Sequence, residues 1–230
     1  MTDVRMNSFQ TIPPVVKNLV IVNALVFFAQ QIFGNEVENL FALHDIHSVY
    51  FRPHQLLTHL FMHGGWSHLI FNMLALWMFG SILENIWGPK RFLIFYILCG
   101  LGAALLHLGV LYMEMEPVMA VFKQLPISQQ EELRYSGNFK INTATVGASG
   151  AVFGCLAAFG YLFPNSLIYV YFFIPIKAKW FVIFYAALEL WLGVNNSAGD
   201  NVAHWAHLGG ALVGFLLVLY WNKRNRRHFY

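Results

Sequence analysis

The chain has 230 residues, of which 58% are hydrophobic and only 11% are charged. Soluble domains carry about 25% charged residues, and one soluble core could not cover this much apolar surface. The composition therefore predicts a multi-span membrane protein and argues against an ordinary soluble enzyme. The formal net charge of +3 gives no sign of a nucleic-acid partner, and we expect none.

Six apolar runs fit membrane spans of about 20 residues. They predict an all-α membrane protein, a bundle of six transmembrane helices with a long outer loop between spans one and two. The runs are 15–33, 67–87, 92–113, 147–163, 179–194 and 202–221. Residues 1–14 show no signal-peptide pattern, so the first run is counted as a span. The domains expected are an N-terminal cytoplasmic tail (1–14), one membrane domain (15–221) and a basic cytoplasmic tail (222–230).

The distribution of Lys and Arg predicts the orientation of the spans. If the N-terminus is cytoplasmic, ten of the 14 basic residues lie in inner segments and four in outer ones. This asymmetry follows the positive-inside rule. We therefore expect a multi-pass protein, in the plasma (inner) membrane, with both termini cytoplasmic.

Two outer connections, 34–66 and 114–146, are long. The first contains an apolar stretch from Leu56 to Met62, which we expect to lie on or in the outer leaflet. The apolar segment 167–176 precedes span five on the cytoplasmic side. It is typical of a strand or an interfacial segment, and we expect Pro175 to end it.

Polar residues occur near the outer ends of three spans. Spans two, four and six all run inwards, so their first turns share one depth. His68 and Asn72 lie at the start of span two, and Ser149 lies at the start of span four. His207 lies one to two turns into span six, so at ~1.5 Å per residue all four fall within roughly 10 Å of the outer helix ends. Such groups are costly in a span and usually serve a site or pair internally.

Glycine pairs predict that spans four and six approach closely. Gly150 and Gly154 are four residues apart, as are Gly210 and Gly214. Small residues at this spacing let two helices come together in lipid. Taken alone, the pattern favours ordinary packing without chemistry. Combined with the polar residues, it would bring Ser149 towards His207.

These residue types are those that hydrolysis of an amide requires. A serine hydroxyl needs an adjacent base, and histidine is the usual one. The oxyanion that forms needs preorganised donors. The backbone N–H groups at the start of span four are free, and His68 and Asn72, four residues apart, add side-chain donors on one helix face.

Three motifs resemble those of the rhomboid family of intramembrane serine proteases. Residues 63–68 (HGGWSH) followed by Asn72 look like the family's second-span His-x4-His-x3-Asn. Residues 147–150 (GASG) look like its nucleophile motif, and residues 206–210 (AHLGG) followed by Gly214 look like its sixth-span histidine motif. The match covers roughly 40–221. The three motifs in this order form a specific signature of a rhomboid-like bundle.

The resemblance implies that Ser149 is the nucleophile and His207 the general base, a dyad without an acidic third member. It implies an oxyanion hole formed by His68, Asn72 and the backbone N–H of Ser149. Family members cut single-span membrane proteins near the outer end of the substrate helix. We therefore expect a serine endopeptidase whose partners are transmembrane substrates and the lipid bilayer.

The resemblance also implies supporting roles. His63 would hold the outer loop and hydrate the site, Phe153 would pack on the catalytic imidazole, and Glu84 would tie helices together. The motif glycines Gly147 and Gly150 are counted with this support. One departure is visible: His54 and Gln55 stand where the family's outer loop often carries a Trp-Arg pair.

Several neighbouring residues leave alternatives open. His204 shares a helix face with His207 and is a rival base or half of a metal pair, but no third ligand is evident. We therefore expect no metal and no cofactor. Glu189 or Asp200 would be able to orient His207 as a third member, although helix pairing for Glu189 and a solvated loop for Asp200 are favoured. The two cysteines, Cys99 and Cys155, are read as buried hydrophobes.

Three other functions are weighed against the protease. A catalytically silent rhomboid-like protein would bind membrane helices, but such relatives usually lack the serine or the histidine. A channel or transporter would line a pathway with these polar groups, and a haem or metal oxidoreductase is the weakest reading. The sequence names neither the substrate nor the oligomeric state.

Overall fold

The computed structural model describes residues 11–170, 173–195 and 202–225. Within those ranges the protein is mostly helical, and four helices are long and apolar enough to cross a membrane. They are Pro14–Phe33, Trp66–Trp87, Pro89–Phe122 and His204–Lys223. This agrees with an integral membrane protein.

The elements follow one another with short connections except in the two outer loops. The helices are α1 (Pro14–Phe33), α2 (Asn35–Phe41), α3 (Gln55–Thr58), α4 (Trp66–Ala75), α5 (Ser81–Trp87), α6 (Pro89–Phe122), α7 (Ile127–Arg134), α8 (Ser149–Leu162), α9 (Ala178–Asn195) and α10 (His204–Asn225). A π-helical turn, Leu76–Gly80, joins α4 to α5, and short 3-10 turns cover His59–Phe61 and Lys140–Asn142.

The fourth and fifth predicted spans correspond to α8 and α9. The first of these has 14 residues, or about 21 Å of helix, less than the ~30 Å of a bilayer core. The other has 18 residues and buries Glu189. The six-span count therefore stays a prediction for these two helices.

The third predicted span is longer than expected. The sequence predicts a span at 92–113. The helix α6 instead continues to Phe122, into the segment that is predicted as an outer connection. The added turns contain two Met and two Glu, which are good helix formers, and the helix continues through Pro117. At the C-terminal end, α10 likewise extends past residue 221 to Asn225.

A small β-hairpin corrects the all-α expectation. Strands β1 (Leu167–Val170) and β2 (Ile174–Lys177) pair antiparallel, which confirms the strand prediction for this segment. Pro175 does not end it, since it lies inside β2 opposite Tyr169. Each strand of a two-stranded sheet has a free edge, so a residue without an N–H is tolerated there.

The centre of the fold is the close contact of α8 with α10, which confirms the glycine-based prediction. A Cβ atom added at Gly210 would collide with the backbone of Gly150. One added at Gly214 would lie 2.7 Å from the Cα atom and the carbonyl oxygen of Gly154. The two backbones thus touch, as small residues permit in lipid. Beside this contact, Cys99 and Cys155 are free and buried, as predicted.

Glu84 fastens the start of α1, so the expectation that it ties helices together is confirmed. Its Oε1 atom accepts the N–H of Val15 at 2.9 Å, and its Oε2 atom accepts the N–H of Val16 at 2.8 Å. The N-cap of α1 is Pro13, which supplies no side-chain cap of its own. A carboxylate from α5 therefore satisfies the free donors and the positive end of that helix.

The buried amide of Gln55 organises the outer loop between α1 and α4. Gln55 is one of the two residues that stand in place of the Trp-Arg pair. Its Nε2 atom donates to the carbonyl oxygens of Asn39 at 3.0 Å and Tyr50 at 2.9 Å. Its Oε1 atom accepts the N–H of Arg52 at 3.1 Å. These bonds close the loop on itself beside α3.

The same loop is joined to the connection that precedes α8. Leu43 and Thr145 form a β-bridge, and the Ser48 hydroxyl donates to Asn142 Oδ1 at 2.7 Å. The backbone of Gly147 donates to the carbonyl oxygen of His59 at 3.0 Å. The outer loop thereby fixes the approach of the chain to Ser149.

Candidate active site

The helix contacts bring Ser149 and His207 together. Ser149 is the first residue of α8, and His207 lies in the first turn of α10. The Nε2 atom of His207 lies 2.8 Å from the Oγ atom of Ser149, a hydrogen-bond distance. Helix packing supplies the mutual orientation that the sequence left open, while the outer depth of both residues stays a prediction.

A carboxylate from α9 completes the surroundings of the histidine. The Oε2 atom of Glu189 lies 2.9 Å from Nδ1 of His207 and 2.7 Å from Nδ1 of His204. An ionised carboxylate only accepts hydrogen bonds, so each imidazole donates one to it through its Nδ1–H group. In a neutral imidazole with its hydrogen on Nδ1, the Nε2 atom of His207 accepts a hydrogen bond from the Ser149 hydroxyl.

This arrangement confirms one expectation and corrects another. The favoured role of Glu189 was helix pairing, and it does join α9 to α10, but it also contacts the histidine beside Ser149. The pair is therefore not without an acidic neighbour. A signal was available, because His204 and His207 share one helix face and a buried carboxylate needs donors. The other candidate, Asp200, lies outside the described residues.

The imidazole within hydrogen-bond distance of the serine is that of His207, which disfavours the rival base His204. Glu189, His204 and His207 also place potential ligand atoms within 4.8 Å of one another. Glu189 is therefore a candidate for the third ligand, which was not evident from the sequence. Hydrogen bonds account for the close distances of this cluster, and the expectation that no metal binds stays a prediction.

Phe153 covers the histidine from the side of α8. It lies one turn after Ser149, and its ring stacks on the His207 imidazole with centroids 4.2 Å apart and planes inclined by 5°. The Tyr185 ring of α9 also packs against Phe153, with ring centroids 5.0 Å apart. The position expected from the resemblance is confirmed, and it leaves the imidazole little freedom to rotate.

His68 presents a donor beside the serine. Its Nδ1 atom accepts the N–H of Gly64 at 3.2 Å, so the neutral ring carries its proton on Nε2. A Cβ atom added at Gly147 would lie 3.1 Å from His68 Nε2 and 3.2 Å from Ser149 Oγ. Gly147 has a φ of +139°, a conformation that favours glycine, so both its backbone and its lack of a side chain suit this place.

Two further residues predicted for the site are Asn72 and Gly150. Asn72 is buried, and its Nδ2 atom donates to the carbonyl oxygen of His68 at 2.9 Å. A Cβ atom at Gly150 would collide with Ala103 of α6, so this glycine sets the contact between α8 and α6. The Asn72 side chain is therefore held by α4, and the absence of a side chain at Gly150 lets α8 pack closely against α6.

His63 holds the outer loop through its backbone. Its N–H donates to Gln30 Oε1 at 2.9 Å, and its carbonyl oxygen accepts from Gln30 Nε2 at 3.1 Å. The buried ring lies edge-on to His68 at 5.2 Å, and neither ring nitrogen has a hydrogen-bond partner among the described residues. Burial, with the nearby His68, lowers the pKa of His63 to about 4. The ring is therefore neutral at pH 7.

A large open cavity of about 1590 Å³ borders the site. Its wall is mixed, with aromatic side chains such as Phe153 and Phe181 beside polar side chains. The site residues on this wall are Ser149, His207, His68, Asn72, Glu189 and His204. Ser149 is thus open to this cavity.

Comparison with known proteins places this geometry in a family. The rhomboid domain model matches residues 50–224. RHOMBOID-like protein 12, mitochondrial, of Arabidopsis thaliana is 32% identical over 200 residues, covering 86% of this chain and 56% of that protein. Rhomboid protein 1, mitochondrial, of Saccharomyces cerevisiae is 32% identical over 71% of this chain and 40% of its own length. Rhomboid protease GluP of Bacillus subtilis is 30% identical over 70% of this chain and 24% of its own.

This chain therefore spans between about a quarter and somewhat more than half of the length of these three relatives. The aligned part contains the three motifs, the paired serine and histidine, and the helices that carry them. The family model alone covers well over half of the sequence. The chain belongs to the rhomboid family.

Proposed function

We propose that this protein is an intramembrane serine endopeptidase that hydrolyses peptide bonds of single-span transmembrane substrates. The observation that carries the proposal is the 2.8 Å distance between His207 Nε2 and Ser149 Oγ. Membership of a family with named proteases supports it, as does the mixed cavity that reaches the serine.

The proposed reaction begins with a proton transfer. His207 Nε2 takes the hydroxyl proton as Ser149 Oγ attacks the carbonyl carbon of the scissile bond. The carbonyl π electrons move to oxygen, and the resulting oxyanion accepts hydrogen bonds from the Ser149 N–H, the His68 Nε2–H and an amide N–H of Asn72. The His207 imidazolium then gives its proton to the leaving amine as the C–N bond breaks.

A second half-reaction releases the other product. Water attacks the acyl carbon while His207 again serves as base, and the ester bond to Ser149 breaks with return of the proton to Oγ. This step requires water at the serine, which the open cavity would admit. The resemblance to the family adds the expectation that the cut falls near the outer end of the substrate helix.

Six spans, cytoplasmic termini and a plasma (inner) membrane location belong to the same proposal. The positive-inside bias supports the orientation. Two of the similar proteins are named as mitochondrial and the third is bacterial, so these relatives do not select one membrane.

The alternative is a catalytically silent protein that binds membrane helices. The same hydrogen bond disfavours it, because a binder would need neither a serine nor a histidine at this spacing. Purified protein in detergent or liposomes separates the two. We expect the wild type to bind a fluorophosphonate probe and to cut a single-span model substrate.

Ser149→Ala and His207→Ala should lose both activities, while Ser67→Ala, a change of another serine at the outer end of α4, should keep them. Absence of labelling and cleavage in the folded wild type would contradict the proposal. So would cleavage by Ser149→Ala at the wild-type rate.

A further inference from the structure

We infer that Glu189 is a positioning residue for His207, so that the site works as a serine–histidine–glutamate triad rather than as a dyad. The inference rests on the proposed function and adds a group that the resemblance does not supply. Its basis is the carboxylate bridge between Nδ1 of His207 and Nδ1 of His204, at 2.9 Å and 2.7 Å.

The burial of Glu189 makes its hydrogen bonds to the two histidines important for the site. The side chain lies in α9 and only 4% of the residue is exposed. A buried carboxylate is costly unless it is hydrogen-bonded and paired. Two imidazole N–H groups from α10 meet that need on a single oxygen atom, so the carboxylate is held at one point against His207 rather than free in the cavity.

This contact selects the form of His207 that catalysis needs. A carboxylate on Nδ1 keeps the proton there and leaves the Nε2 lone pair directed at Ser149 Oγ. When the imidazole takes the serine proton, the new positive charge lies beside a fixed negative one. Glu189 thus acts through His207, without touching substrate.

His204 has a secondary role in this arrangement. Its Nδ1 atom makes the shorter of the two contacts with the carboxylate, and it precedes His207 by three residues on the same helix face. A Cβ atom added at Gly193 of α9 would lie 3.3 Å from the Cβ atom of His204, which shows how near the two helices approach. His204 therefore anchors Glu189, and its loss should have a smaller effect than loss of Glu189 itself.

A purely structural tie between α9 and α10 would predict something different. Replacing Glu189 would then lower thermal stability, and the molecules that remain folded would react at the normal rate. Glu84 offers a matched comparison, because it is also a buried carboxylate that links two helices, yet it bonds backbone N–H groups of α1 instead of the histidine.

The decisive measurement compares kcat and KM of folded Glu189→Gln with those of Glu84→Gln. A glutamine amide would donate to Nδ1 of His207 and favour the wrong tautomer. We expect Glu189→Gln to lower kcat about 100- to 10,000-fold with little change in KM, whereas Glu84→Gln should lower thermal stability and keep kcat. Glu189→Asp should recover part of the lost kcat, and His204→Asn, which retains an N–H donor, should lose no more than about tenfold.

A spectroscopic signature tests the Nδ1 contact in the wild type itself. The Nδ1 proton of His207 should give a low-field proton resonance in the wild type that disappears in His207→Ala. A wild-type kcat in folded Glu189→Gln would overturn the inference, as would the absence of that resonance in active wild type. If Ser149→Ala stays active, the proposed function fails instead, so the two failures are distinguishable.

Discussion

The Phe153 ring lies flat on the His207 imidazole, with centroids 4.2 Å apart and planes inclined by 5°. Phe153 follows Ser149 by one helical turn, so α8 supplies both the hydroxyl and the surface on which its partner rests. This stacking restricts the imidazole to the plane in which Nε2 meets Ser149 and Nδ1 meets Glu189.

Phe153→Leu should therefore slow catalysis. The substitution keeps an apolar side chain of similar size but removes a ring contact worth about 0.5–1.5 kcal/mol, which corresponds to roughly a two- to tenfold lower kcat. Cleavage of a single-span substrate at saturating concentration measures it. Phe153→Tyr, which keeps the ring, is the control, and an unaltered kcat in Phe153→Leu would show that the stacking has no catalytic effect.

Asn72→Ala should lower kcat by about 100-fold or more. The buried amide is proposed to donate to the oxyanion, and loss of one such donor typically costs about 3 kcal/mol. Its contact with the His68 carbonyl is within the same helix, so the fold should tolerate the change. Steady-state kinetics with the model substrate tests this, and a variant with changed KM alone would assign Asn72 to binding.

Gly210→Ala should disrupt the contact between α8 and α10, because a methyl group there would collide with the backbone of Gly150. We expect loss of activity together with a lower melting temperature. Gly109→Ala is the matched control, since nothing lies within 4 Å of its added Cβ atom in α6. That substitution should leave activity unchanged and can raise stability by up to about 1 kcal/mol through helix propensity. Thermal unfolding in detergent compares the two, and equal behaviour would refute the packing argument.

Glu84→Gln should destabilise the fold by about 1–3 kcal/mol. The neutral amide can accept only one of the two N–H groups at the start of α1, and it loses the attraction of a negative charge for that helix end. Denaturation in mixed micelles measures the effect. A variant as stable as the wild type would mean that the carboxylate is dispensable at this helix end.

Acid should destabilise the outer loop through His59. This residue is 3% exposed, and burial lowers the pKa of its imidazole to about 4 from an ordinary value of 6.5. The unfolded chain then binds a proton below pH 6.5 that the folded chain does not bind. The contribution of this pKa shift to the free energy of unfolding is complete above pH 6.5. Below that value it falls by about 1.4 kcal/mol per pH unit, a loss on the order of 3 kcal/mol by pH 4.

Unfolding measured between pH 7.5 and pH 4.5 should show this slope, and His59→Gln should reduce it. A slope should remain in that variant, because burial gives His63 a similarly low pKa of about 4. An identical pH dependence in wild type and His59→Gln would contradict the assignment.

The sequence by itself determined the class of protein, the approximate positions of the six apolar helices and four residues of the candidate site. For five of the six apolar runs the predicted ends lie within a few residues of the helix ends, because the length of an apolar segment is a local property. Ser149, His207, His68 and Asn72 were named from motif and depth alone. The extension of α6 to Phe122 was missed, because the polar residues there indicated a loop while their helix propensity prevailed.

Only the tertiary structure decided which of these groups touch. A depth along a helix does not specify a direction around it, and the facing of α8 and α10 depends on glycines that let two backbones meet. The same limit applies to Glu189, whose position in α9 was visible but whose partners were not. The contact of its carboxylate with two imidazoles arises from the packing of α9 against α10, which joins residues 15 and 18 positions apart in the chain.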